Sequence, residues 1–288
     1  MTSLVEILVL IARLSVVIFV ISSMLAMGMS QRLADVITPL KDWRTTLTSL
    51  GVSFVIAPLF ALVLTLVVPL EPAHATGLLL LGGAAGAPFL PKLAETAGGD
   101  IAQSVALMVL LMVATIVFVP LVMPLIVPGL QADAMGIAGP LVVLMLIPLS
   151  VGFALAQLGT ERIGGFLALV RKISNLFFLL FLVSLSVLQF KAMLQILGSF
   201  AIGTYLLFVL GMFAVAYLAS AKGSGSRPVF GFAAAQRNIS AALVVSGASF
   251  SDPAITTMVL LSAVVGLIVL MVMAAAMERT RVNPNTLE

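Results

Sequence analysis

Nine apolar segments, joined by connections too short to hold a soluble domain, decide most of what this chain can become. They cover residues 4–29, 45–70, 75–96, 101–127, 135–158, 173–190, 196–220, 229–250 and 253–277. Each is near or above the roughly 18–20 residues a helix needs to cross the hydrocarbon of a bilayer. Lipid satisfies no backbone N–H or C=O, so only helices or closed barrels can span it. Long continuous apolar runs without a two-residue alternation specify helices. Soluble domains carry about 25% charged residues; here 9% are charged and 62% hydrophobic. The expectation is an all-α polytopic membrane protein with nine transmembrane helices, residues 1–288 forming one membrane domain.

Several chemistries are excluded at once. With no cysteine, there is no disulfide framework, thiolate metal site or cysteine nucleophile. The single histidine, His74, reads as a loop residue between the second and third segments. No paired carboxylates, histidine cluster or base-activated nucleophile lies within a segment, which argues against an intramembrane enzyme and predicts no metal and no cofactor. The net charge of +3 is spread over short loops, so nucleic acid is not an expected partner. The first apolar stretch is too long for a leader's core and lacks a basic start, so no cleavable signal is expected.

Basic residues set the expected orientation. With the N-terminus outside and nine crossings, Arg32, Lys41, Arg44, Lys92, Arg162, Arg171, Lys172, Lys222, Arg227, Arg279 and Arg281 all fall inside. Only Lys191 falls opposite, and Arg13 and Arg237 lie within segments. This bias predicts a multi-pass protein of the cell membrane (the inner membrane in a bacterium), N-terminus outside and C-terminus cytoplasmic.

Two segments do not read as ordinary helices. In the third, Gly82, Gly83, Gly86, Pro88 and Pro91 crowd together, and each proline removes a backbone donor. In the eighth, Gln236, Arg237, Asn238 and Ser240 sit near the middle. A charged side chain there costs about 2.5–3.5 kcal/mol or more, so it must have a protein or water environment. The two interruptions occupy corresponding places in the first four and last four segments, which enter from opposite sides. That predicts an inverted repeat, with one unit at about 4–128 and the other at about 135–277, and a transporter site at the midplane. Arg237 is open to two roles: a clamp for an anionic solute, or a cation that binds the free carbonyls of broken helix ends. Glu95 is the one candidate for proton coupling, against the plainer reading of a solvated helix end beside Lys92.

The chain also resembles the bile acid:sodium symporter family. The likeness rests on MLAMGMS ending the first segment, Pro58 in the second and the glycine-rich break of the third. It continues in Leu93-Ala94, Gly99-Asp100 and Ser104-Val105, in LIPLSVGFAL of the fifth segment and in RNISAAL of the eighth. The resemblance implies a panel and a core subdomain, the core holding two broken helices that cross. It also implies sodium sites, whose positions here have changed. Ala87 and Pro88 stand for a Ser-Asn pair, Ala233 and Arg237 for a Glu and a Gln, Met108 for a hydroxyl, and Ser53 for a Gln; Ser104 is retained. The expected function is therefore a secondary transporter or facilitator of a small organic anion, a carboxylate or sulfonate, by alternating access and without the usual sodium coupling. The alternatives are a sodium-coupled symporter with rebuilt sites, and a ligand-sensing membrane protein that does not transport.

Overall fold

The computed structural model describes residues 4–37, 41–130, 134–188, 199–220 and 226–282, all helices and connections, with no strand among them. The helices are α1 (Leu4–Met29), α2 (Trp43–Val67), α3 (Pro72–Gly83), α4 (Leu90–Thr96), α5 (Ile101–Ile126) and α6 (Met135–Ala156). They continue with α7 (Thr160–Leu188), α8 (Ala201–Ala219), α9 (Ser226–Ala235), α10 (Ile239–Ser249) and α11 (Pro253–Val282). Among the described residues, eight stretches are long and apolar enough to cross a membrane, α9 and α10 together making one. The segment at 75–96 is not among them, because residues 84–89 separate it into the two short helices α3 and α4. Lys191 and Lys222 lie outside the described residues.

Two of the helices widen by a π turn, at Val52–Ile56 in α2 and Val142–Leu146 in α6. A proline follows the end of each turn by two residues, Pro58 and Pro148. A proline inside a helix has no N–H and crowds the carbonyl four residues back, and a widened turn absorbs that conflict.

Packing divides the helices into two groups. In one, α1 lies against both α6 and α7; in the other, α3, α4, α5 and α8 to α11 pack together with α2, and α6 joins the two by packing on α5 and α10 as well. The closest approach in the first group explains two sequence motifs. Gly28 of MLAMGMS meets Gly152 of LIPLSVGFAL so closely that a Cβ on Gly28 would stand 2.2 Å from the Leu149 carbonyl oxygen. Small residues at such a crossing let backbones touch where lipid gives no hydrophobic drive to helix association.

Two expectations need correction. Arg162, Arg171 and Lys172 are not in a loop: they lie on α7, which begins at Thr160, not near residue 173. Arginine and lysine are good helix formers whose long stems can carry the charge away from an apolar face, so charges did not mark a helix end here. His74 is likewise in a helix, the first turn of α3, which Pro72 starts. It is only 3% exposed, and its Nδ1 has no hydrogen-bond partner.

Candidate functional site at the meeting of two helix breaks

The breaks 84–89 and 236–238 lie against each other and are tied by hydrogen bonds between them. The Asn238 amide N–H donates to the Ala84 carbonyl at 2.9 Å. The Asn238 side chain works in two directions: Nδ2 donates to the Gly86 carbonyl at 3.0 Å, while Oδ1 accepts from the Ala241 N–H at 3.1 Å. One residue thus caps the start of α10 and holds the opposite strand of extended chain. Gly86 has φ +76°, and a Cβ there would lie 2.1 Å from the Met112 nitrogen, so only glycine fits.

Arg237 occupies the centre of this knot. It is 2% exposed and bonds only to carbonyl oxygens. Nε donates to Leu81 at 2.8 Å and Nη2 to Gly82 at 2.6 Å, both in the last turn of α3. Nη1 donates to Ala234 at 3.0 Å, in the last turn of α9, and Nη2 lies 3.5 Å from the Ser53 carbonyl. The last carbonyls of a helix lack intrahelical partners and carry the negative end of its dipole. A single guanidinium therefore neutralises two helix C-terminal ends at once, with the Phe208 ring centroid 5.9 Å from its central carbon. No carboxylate pairs with it among the described residues, where the one ion pair is Lys92–Glu95 at 2.9 Å between exposed side chains.

The other expected residues divide between this knot and its surroundings. Gly82 and Gly83 end α3, and a Cβ on Gly83 would overlap Met123. Ala87 and Ser240 are buried beside the breaks. Gln236 has its side-chain oxygen buried without a partner. Ser53 contributes its carbonyl, not its hydroxyl, and Ser104 is buried with its hydroxyl donating to Ile101 of its own helix at 2.6 Å. Pro88 differs from the rest: it lines a cavity of about 660 Å³ between α1, α4 and α7, together with Ser30, Lys92, Glu95, Arg171 and Asn175. Arg171 Nη2 donates to Ser30 Oγ there at 2.7 Å. Arg237 lines neither this cavity nor one of about 590 Å³ near the start of α1.

Sequence reading missed Thr115. Its hydroxyl accepts from the Ala85 N–H at 2.9 Å and donates to the Ala85 carbonyl at 3.0 Å, satisfying both polar groups of a non-helical residue in the core. The signal was present, since Thr115 is a hydroxyl deep in the otherwise apolar second half of α5. Thr115→Val should strand both backbone groups and lower stability by about 1–3 kcal/mol. Thr115→Ser should retain most of it; a thermal unfolding curve for the valine variant that overlays wild type would contradict this.

The family model described as the sodium bile acid symporter family matches residues 17–196, more than half of the chain. The chain belongs to that family. It is accordingly a multi-pass membrane protein, and members of the sodium bile acid symporter family are transporters. No curated protein matches the chain. The family match reaches from α1 into the stretch after α7 and stops before Arg237, so the role of α9 and α10 rests on the geometry above.

Proposed function

We propose that this protein is a secondary transporter or facilitator that moves a small organic anion by alternating access, with Arg237 in the position of a coupling cation. The observation that carries the reading is the buried guanidinium bound to the carbonyls of Leu81, Gly82 and Ala234. Sodium at such a place would need several oxygen ligands, and the family's side-chain ligands are replaced here by Ala87, Pro88, Ala233 and Met108. A fixed positive charge also repels a second cation at short range. Arginine cannot release its proton at usable pH, so Arg237 is a permanent substitute and not a proton carrier.

On this reading the α3–α4 pair counts as one crossing, giving nine, with the N-terminus outside and the C-terminus cytoplasmic. The two breaks are the crossing point of an inverted repeat, and Gly82, Gly83, Gly86, Ala87, Gln236, Asn238 and Ser240 form its packed centre. Solute binds in the cavity of about 660 Å³ beside it, where Lys92 and Arg171 outnumber Glu95 and favour an anion. Salt-bridged and exposed, Glu95 serves as a helix-end residue.

The test is uptake into proteoliposomes of radiolabelled taurocholate and of smaller carboxylates and sulfonates, with sodium, potassium or choline outside at equal ionic strength. Saturable uptake at the same rate in all three salts is expected. Uptake that needs sodium would favour a symporter with rebuilt sites. A ligand-induced thermal shift without any uptake would favour the sensing reading.

A further inference from the structure

Arg13 is a cation within the membrane-crossing helix α1, and the meeting of the two breaks does not use it. We infer that it is the charge-selecting residue of a separate binding site, in the cavity near the start of α1, for a solute with one anionic head and an apolar body.

Three observations converge there. Arg13 lines the cavity of about 590 Å³, is an exposed side chain, and has no hydrogen-bond or ion-pair partner among the described residues. At about 1.5 Å per residue it lies roughly 10 Å along α1 from Glu6, a depth at which an unpaired guanidinium needs water or an anion. The rest of the wall is almost wholly apolar, including Phe181, Leu243, Val244 and Phe250, with the Thr256 hydroxyl as a second polar group. Thr256 is already engaged with Ser246 Oγ at 3.3 Å. Glu6 and Asp252, the acids beside lining residues in the sequence, are not part of the lining.

The placement on α1 adds direction. Val9, Arg13, Val16 and Val20 face this cavity, and Ser23, Met27 and Ser30 face the other, where Arg171 stands. Those spacings of three and four describe one continuous helical face. One stripe of α1 therefore runs from one cavity to the other, with an arginine at each end. Its use as the solute's route rests on the transporter reading; the anion site itself does not.

The chain has no cysteine, so a single introduced thiol reports on the cavity alone. Val17, one turn from Arg13 and also in the lining, is replaced by cysteine in protein reconstituted in phosphatidylcholine nanodiscs. The thiol is labelled with a sulfonatoethyl methanethiosulfonate and with its trimethylammonium counterpart. Both should react, and the anion-to-cation rate ratio should fall about fivefold on Arg13→Gln and hold on Arg13→Lys. 2-Naphthalenesulfonate should slow labelling when Arg13 is present and not in Arg13→Gln, while 2-naphthyltrimethylammonium should slow neither. An unreactive thiol, an unchanged ratio, or no protection by the sulfonate would overturn the inference. Slowing by phosphatidylglycerol alone would overturn it in favour of a lipid headgroup. Labelling requires no transport, so a wild-type protein that takes up no solute would sink the transporter reading and leave this result standing.

Discussion

Arg237→Gln should unfold this protein well before it changes any solute preference. The substitution leaves the Gly82 and Ala234 carbonyls with at most one amide to share, and Leu81 with the Ala84 N–H alone, deep in the core. Each buried acceptor left without a donor costs about 1–3 kcal/mol. Removing the charge also removes its own desolvation penalty, which offsets part of the loss. A net loss of about 3 kcal/mol is expected, on the order of 5–10 °C in thermal midpoint. Arg237→Lys should recover part of it. An ammonium restores the positive charge, but three donors on one nitrogen cannot reach carbonyls on two helices in the planar arrangement a guanidinium offers. If Arg237 were instead a solute clamp, the glutamine variant would keep the wild-type midpoint and lose anion binding selectively.

The second large effect concerns Gly86. Adding one methyl group asks a non-glycine residue to hold φ +76° and places carbon 2.1 Å from the Met112 nitrogen. The obstacle is backbone of α5, which cannot rotate away as a side chain could. The Gly86 carbonyl is also the acceptor for Asn238 Nδ2, so any shift that relieves the overlap breaks a tie between the two breaks. Gly86→Ala should cost roughly 4 kcal/mol or more and sharply reduce the monodisperse fraction after detergent extraction. Gly164→Ala on α7, where an added Cβ meets nothing within 4 Å, is the control and should behave as wild type. Equal yields and equal midpoints for the two variants would contradict the packing described here.

The membrane class and the helical segments were legible because bilayer thickness writes itself into apolar run length. The interruptions were legible too, since Pro88, Pro91 and the clustered glycines of one segment and the polar run of the other are poor company for a continuous helix. What the residues at the breaks do was less so. Arg237 announced itself as needing partners, but its choice of main-chain carbonyls has no sequence signature, because every residue carries one. Thr115 was hidden for the complementary reason: a hydroxyl in a helix usually bonds its own preceding turn, and only the fold brings Ala85 to it. The misplaced start of α7 came from treating Arg171 and Lys172 as a boundary, although charges stop a helix far less reliably than proline or glycine. His74 was assigned to a loop because its apolar segment was taken to begin one residue later, while Pro72 starts the helix before it.

Sodium binding itself tests the central claim most directly. Purified wild-type protein should show no saturable binding of ²²Na⁺ in a scintillation proximity assay, at any sodium concentration that leaves the protein folded, because the guanidinium of Arg237 already occupies the carbonyls at the meeting of the two helix ends. Saturable ²²Na⁺ binding by the wild-type protein, displaced by unlabelled sodium and not by potassium or choline, would contradict the account.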